Sequence, residues 1–439
     1  MTRRRRAPSR GGAGERWRNW AGNQRTDPVR TVAAHDTGDV VAAVKDAARD
    51  GLRLKAVGSG HSFTAIAVPD GVAVRAPSDP RLLQVDATGL ATVPAGMTLR
   101  TLNPLLWARG WALPNLGDID AQTVAGAIAT GTHGTGARHR GLADQVRALE
   151  LVTADGAVRT CSPSENADVF AAARVGLGAL GILVSVTLQT VPAFHLHAIE
   201  AARPLDGALE LFDGDDDHVE FYWFPHTDVA ATKRNNPTDA DGPARGRVAE
   251  WVGDELIGNG AFALVCRLGA AAPRLVPGLN RFAAGLLAHS EYVDRSYRVF
   301  TSPRRVRFLE MEYAVPRAAL PDAFAGLRRA VERHGQAVTF PVEVRVAAAD
   351  DIPLSTASGR DSAYLAVHVH RNEPHEAYFG AVEAVMRDLD GRPHWGKLHT
   401  RAAADLRPAY PGFDAFVALR DRLDPERRFG NAYLERVLG

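Results

Sequence analysis

The feature that most constrains this chain is an apolar run, Leu52 to Val57, that stops in Gly58-Ser59-Gly60-His61-Ser62. The run reads as a short strand ending in a turn. Glycines let a backbone turn tightly and bring its N–H groups up to an anion. A histidine on such a turn faces the bound group as a base, a metal ligand or a covalent tether. A second Gly/Thr-rich stretch, Thr123 to Gly136, contains Gly126, Thr130, Gly131, Thr132, His133 and Gly134.

A length of 439 residues gives room for two or three domains and a large core. The formal net charge is +1, so no global field draws the chain toward nucleic acid or acidic lipid. Cys161 and Cys266 are the only cysteines, which excludes a disulfide framework and favours a reducing, cytoplasmic setting. Arg3 to Arg6 open a basic tail, expected to be disordered over residues 1–16. No apolar segment follows it to make an export signal. Val175 to Phe194 carries no charge, yet Val184, Val186 and Leu188 alternate with Ser185, Thr187 and Gln189. That period of two marks a half-buried strand and not a membrane span.

Local patterns place a helix over residues 36–51, with Val40, Val44, Ala47 and Ala48 on one face and Gly51 as its stop. Strands follow near Gly71–Arg75, Leu82–Asp86 and Leu90–Pro94. A helix from Met97 to Arg109 is expected to bend or break at Pro104. Strands at Ala148–Thr153, Ala157–Thr160 and Ile182–Val191 enclose a helix at Ala167–Arg174. A boundary is expected between Pro192 and Ala202, and Lys233 to Arg247 reads as a polar loop. The final third alternates strands and amphipathic helices.

Gly176-x-Gly178-x-x-Gly181 matches a dinucleotide fingerprint, but a helix precedes it and a strand follows, the reverse of the required order. It reads as a helix-to-strand turn. Asp213, Asp215 and Asp217 imitate the start of a calcium loop without its glycine and final glutamate. His195/His197 and His368/His370 each share a strand face but lack a further ligand signature, so no metal is expected. In Phe340 to Val346, Val342, Val344 and Val346 share one face while Glu343 and Arg345 share the other. That pair is either the wet side of a sheet or an ion pair in a pocket. Tyr364 to His370 repeats the pattern. Arg392-Pro393-His394-Trp395-Gly396-Lys397 is either a structural turn or a means of placing an ammonium beside developing charge.

Taken together, Gly58-Ser59-Gly60-His61-Ser62, the loop through Thr132-His133-Gly134 and His394-Trp395-Gly396-Lys397 resemble the FAD-linked aldonolactone and alditol oxidases of the vanillyl-alcohol-oxidase superfamily. Pro341 to Arg345, Asp350-Asp351, Gly359 to Ser362, Leu423 to Glu426 and Phe429-x-Asn431 place the likeness nearest the L-gulono- and D-arabinono-1,4-lactone oxidases and dehydrogenases. The resemblance implies an α+β fold. A two-lobed FAD-binding domain of the PCMH type would span residues 17–193. A substrate domain with an antiparallel sheet and flanking helices would span 194–439, its C-terminal part reaching the flavin site.

The resemblance also implies that His61 carries FAD covalently and that Ala56, Val57, Gly58, Ser59, Gly60 and Ser62 cradle the diphosphate. Asp118, Thr123, Gly126, Thr130, Gly131, Thr132, His133, Ile182 and His394 match further cofactor contacts. Glu343, Arg345 and Lys397 match the catalytic side of the flavin, and Asp118 and His370 match substrate contacts. Asp118 stands where alditol oxidases have serine and His370 where they have threonine, which favours the lactone branch. The implied reaction takes hydride from C2 of a sugar lactone to give ascorbate or an analogue. Gly117 matches a position tied to oxygen access, so O2 is favoured over another electron acceptor. A polyol oxidase, or a flavin- or carbohydrate-binding protein without turnover, is the competing expectation.

Overall fold

The computed structural model describes residues 15–240, 242, 268–269, 272–285, 289–302, 306–333 and 338–439. The basic tail, apart from Glu15 and Arg16, and Cys266 lie outside the described residues. The chain opens with a short antiparallel pair, β1 (Trp17–Arg18) and β2 (Arg25–Thr26). A small parallel sheet follows: β3 (Arg30–Ala33), then β4 (Leu54–Ala56) and β5 (Val72–Arg75), in the order β3-β5-β4. The helix Thr37–Arg49 crosses between β3 and β4. It is capped by Asp36, whose side chain accepts from the Asp39 amide, and it buries Val40, Val44 and Ala47 as its periodicity predicts.

The second lobe contains β6 (Gln84–Val85), β7 (Leu90–Pro94), β9 (Val146–Val152), β10 (Val158–Cys161) and β11 (Ile182–Gln189), in the order β10-β9-β11-β7-β6. The uncharged stretch from Val175 therefore enters an antiparallel sheet. No helix of the described residues is long and apolar enough to cross a membrane. The helix Leu99–Trp107 runs through Pro104 without breaking. The bond that Pro104 cannot make would fall on the carbonyl of Arg100, an exposed residue, where water can replace it. A minor pair joins β8 (Trp111–Ala112) to β12 (Val191–Pro192).

The third part is an eight-stranded antiparallel sheet. Its strands are β13 (His195–Pro204), β14 (His218–Trp223), β15 (Val229–Thr238), β16 (Ser290–Arg295), β17 (Phe308–Pro316), β18 (Val342–Ala347), β19 (Ser362–His370) and β20 (Arg392–Pro393), in the order β16-β13-β15-β14-β18-β19-β17-β20. Alternation sends Val342, Val344, Val346, Val367, Met311 and Phe221 into a core beneath the helices Leu320–Arg333 and Glu376–Arg387. The opposite face turns toward the first two lobes. Lys233 to Thr238, expected as loop, belong to β15. Lys233 is set opposite Glu200 on β13 and Glu220 on β14, so its charge has partners that the local sequence does not show. After β20 the chain returns to the first lobe, where the Asn431 amide donates to the carbonyls of Ala65 at 2.9 Å and Val68 at 3.0 Å.

Candidate active site

A cleft with about 1030 Å³ of empty space, continuous with solvent, runs between the first two lobes. Its walls are the loop Ala56 to Ser62, the start of the helix Val124–Ala129 and the turn Gly176 to Gly181. Glycine is required where the loops touch. A Cβ on Gly58 would lie 2.6 Å from Thr123 Oγ1, the oxygen that caps the helix by accepting from the Gly126 amide at 3.1 Å. Gly60 has φ +73° and passes its carbonyl to the Trp20 amide at 2.7 Å.

Only Lys55 and His61 among the described lining residues titrate. Lys55 donates to the carbonyls of Gly178 and Phe429, each at 3.0 Å, and burial lowers it to about 7. The Lys55 amine thus braces the Gly176–Gly181 turn, and a long, apolar cleft walled by glycine-rich loops suits a dinucleotide such as FAD.

The polar face of the large sheet stands at the His61 end of this cleft. Strand register sets Tyr222 opposite Glu343, Glu343 opposite Ala366, and Ala366 opposite Glu312. Arg345 lies opposite Tyr364, and Glu310 opposite His368. Charged side chains thus surround the small Ala366. Arg345 contacts Glu343 directly, donates to Glu220 Oε2 at 2.7 Å and lies 3.8 Å from Asp118. The Tyr222 hydroxyl donates to Glu343 at 3.0 Å. The Lys397 ammonium lies 2.5 Å from Glu310 and 5.2 Å above the Phe63 ring. His133 sits 3.2 Å from Glu312 and stacks on Tyr364 at 3.6 Å between ring centres.

Two hydrogen bonds lock this face to the histidine loop. Phe63 N–H donates to Gly396 O at 2.7 Å, and the Thr64 hydroxyl donates to Trp395 O at 3.0 Å.

Burial raises the Glu343 carboxyl, opposed by Arg345 and reinforced by Asp118 and Glu220. Burial also raises Glu220, but Arg345 and Lys233 overcome it and hold that group low. Lys397 is raised despite burial, because Glu310 and Glu312 face it. His61 is lowered to about 4 by burial and by the charges of Lys397 and Arg100, so its imidazole is neutral near neutral pH. Burial takes His394 to about 4 as well, and its Nδ1 accepts from the Gly396 amide at 3.1 Å.

The residues expected from sequence separate into two groups. Ala56 to Ser62, Thr123, Gly126 and Thr130 line the cleft. Asp118, His133, Glu343, Arg345, His394 and Lys397 belong to the polar face. Gly131 turns at φ +78° between them, and the Thr132 hydroxyl accepts from Gln122 at 3.1 Å. Ile182 departs from expectation. Its side chain joins the core beneath the first helix, while its neighbours Gly181 and Leu183 face the cleft, as strand alternation requires. His370 lies opposite Phe308 at the strand end, so His368, one alternate position inward, is the histidine that meets Glu310, at 3.5 Å.

Sequence reasoning missed Glu220, Glu310, Glu312 and Tyr222. The alternation Leu309-Glu310-Met311-Glu312-Tyr313 repeats the signal that drew attention to Glu343 and Arg345. The Gly176–Gly181 stretch is the helix-to-strand turn expected, and it also walls the cleft.

His139, Asp217 and His218 form a group of three metal-ligand types outside this site. Its two rings stack 4.2 Å apart at 14°, so their in-plane lone pairs cannot converge on one ion without a ring turning. Asp217 instead accepts from His139 at 2.9 Å and Arg138 at 3.0 Å, pinning the second glycine-rich loop to β14.

The cleft has the form of a dinucleotide site, and the family match makes this chain a flavoprotein whose cofactor is FAD. Residues 28–162 match the model of the FAD binding domain family. A crystal structure of cholesterol oxidase from B. sterolicum shares the fold, with a TM-score of 0.80, 18% identity and 97% of each chain covered. Residues 186–437 match the model of the D-arabinono-1,4-lactone oxidase family, and the chain belongs to that family. It is 45% identical over 427 residues to the L-gulono-1,4-lactone dehydrogenase of Mycobacterium tuberculosis, covering 96% of this chain and 99% of that one. It is 37% identical to the L-gulonolactone oxidase of Mus musculus, with 97% and 98% covered. It is 33% identical to the alditol oxidase of a Streptomyces species, with 96% and 98% covered.

Proposed function

We propose that this protein oxidises a sugar-derived 1,4-lactone of the L-gulono, D-arabinono or L-galactono type at C2, giving ascorbate or an analogue. The observation that carries this reading is the ring of charge around Ala366 at the end of the cofactor cleft. A neutral patch bounded by Glu343, Arg345, His368 and Lys397 offers donors and acceptors to a compact polyhydroxylated ring. Residues 56–62, the Thr123–Thr130 segment and the Gly176 turn would hold FAD, which would supply a two-electron hydride acceptor.

The protein's own residues handle position and proton. Glu343, raised by burial, takes the proton of the C2 hydroxyl as the C2 hydrogen leaves with its electron pair, so the carbinol becomes a ketone. Arg345 fixes the carboxylate in place through its contacts with Glu220 and Glu343. Lys397 stays protonated and presents a fixed positive charge to the forming carbonyl. Neutral His61 has a free lone pair, the state in which an imidazole forms a covalent bond to the cofactor. The domain limits proposed are 17–193 and 194–439, a division supported by the change of sheet between β12 and β13.

The test is bleaching of the flavin absorbance under argon. L-Gulono-, L-galactono- and D-arabinono-1,4-lactone are compared with xylitol and sorbitol. Rapid bleaching by a lactone and none by polyols is expected. Polyol-only bleaching makes this an alditol oxidase, and no bleaching by any of them rejects turnover.

A further inference from the structure

The helix Val276–Gly285 of the substrate domain buries one face and leaves another bare, and the chemistry above uses neither. Val276, Asn280 and Ala284 are its buried residues. The Asn280 amide donates to the carbonyls of Pro225 at 3.0 Å and Val338 at 2.8 Å. Pro225 follows β14 and Val338 precedes β18, whose ends pair at Trp223 and Val342, so the helix is fixed to the large sheet. On the other side Arg274, Leu275, Gly278, Arg281, Phe282 and Gly285 are exposed.

Phe282 is 62% exposed, Leu275 56% and Leu268 43%. Single exposed apolar side chains are ordinary, whereas a cluster of them marks an interaction site. Six large apolar side chains are exposed among the described residues, and half of them fall between positions 268 and 282. The other three, Val29, Leu82 and Val158, belong to the first two lobes.

The charge around this cluster has one sign. In sequence no Asp or Glu stands between Glu255 and Glu291, although the chain carries 51 acids in 439 residues. Leu275 and Phe282 are seven residues apart, as are Arg274 and Arg281. Seven residues make about two helical turns, so an apolar stripe runs beside a basic one. Gly278 and Gly285 keep that face smooth, with nothing within 4 Å of where a Cβ would stand. An apolar stripe edged by arginines is the pattern of a helix lying in a lipid headgroup layer. A second copy of the chain docking by this face would bring the two arginine stripes together, which like-charge repulsion opposes.

We propose that Leu268, Arg274, Leu275, Arg281 and Phe282 form a docking surface for an acidic phospholipid bilayer. The apolar side chains enter the acyl boundary, and the two guanidiniums meet lipid phosphates above it. Attachment is peripheral and reversible, because three apolar side chains and two charges fall short of an anchor. With a net charge of only +1, the rest of the chain adds no general attraction to an acidic surface, so binding depends on this patch. The surface is separate from the cleft and does not depend on which substrate is oxidised.

The test is sedimentation of the full-length, flavin-loaded protein with two kinds of vesicle. One is phosphatidylcholine alone, the other phosphatidylcholine and phosphatidylglycerol in equal parts. Binding to the mixed vesicles only is expected, with affinity falling about 10-fold or more as salt rises. Leu275→Ser/Phe282→Ser and Arg274→Gln/Arg281→Gln should each lose about 10-fold or more at low salt, with flavin absorbance unchanged. Phe282→Gln serves if a double variant misfolds. Phe282→Trp should gain an emission that moves to shorter wavelength with the mixed vesicles alone. No binding to the mixed vesicles at low salt overturns the proposal, as does equal binding to both kinds or unchanged binding in both variants. A dimer that light scattering detects without lipid, and that Leu275→Ser/Phe282→Ser dissociates, would give the face to a second copy and overturn it too.

Discussion

The Lys397 ammonium lies 2.5 Å from Glu310 Oε2, and both side chains are largely withdrawn from water. One side chain comes from the turn after β20 and the other from β17, 87 residues apart. A buried ammonium without a partner loses its proton readily, whereas one held by a carboxylate keeps it.

Lys397→Ala is therefore expected to retain FAD but lose about 100-fold or more in anaerobic flavin reduction. Glu310→Gln should act through pH. Lys397 is raised in the native protein by Glu310 and Glu312. Removing one of those charges moves the alkaline fall in reduction rate to lower pH, and Glu310→Asp should restore it. An unchanged pH profile in Glu310→Gln would show that Lys397 does not depend on that pair.

His61 titrates near 4 and is neutral above that value. Covalent incorporation of FAD into apoprotein, scored as fluorescence on a denaturing gel, should be independent of pH down to about pH 5 and fall toward pH 4. His61→Ala should bind FAD that denaturation releases. Flavin still attached to the denatured variant would move the tether elsewhere.

Arg345 is buried among Glu220, Glu343 and Asp118. Arg345→Met leaves those carboxylates uncompensated and should cost about 3–5 kcal/mol in stability. Their native pKa values would then lie above the unfolded ones, so the deficit should be smallest at low pH and grow as pH rises. Thermal unfolding across pH measures this.

Gly58→Ala places a methyl group 2.6 Å from Thr123 Oγ1, at the contact between two loops that wall the cleft. The variant should fold but purify with little flavin, read from the ratio of visible to ultraviolet absorbance.

At Gly117 a Cβ would come within 3.0 Å of Thr132 and 3.1 Å of the His133 carbonyl. Gly117→Ala should slow reoxidation by O2 in stopped flow and leave anaerobic reduction by lactone near the wild-type rate.

Much of the local structure is legible because it depends on near neighbours. The 3.6-residue stripe of Val40, Val44 and Ala47 and the two-residue alternation of Val184 to Gln189 each report one buried face. The same alternation shows Glu343 and Arg345 on one side of a strand but not whether that side is wet. Glu310 and Glu312 display an equal pattern and drew no notice, because their partners Lys397 and His133 lie far off in the chain.

The sequence by itself determined the glycine loops, the strand and helix faces and the family likeness, since steric freedom and hydrophobic period are local properties. Tertiary structure alone decided that Tyr222, Glu343, Ala366 and Glu312 form one row. It also decided that His368 meets Glu310 and that Ile182 turns from the cleft. Each of these follows from strand order and register in the large sheet. Those are set by the simultaneous burial of many distant residues, and a shift of one residue would exchange the two faces.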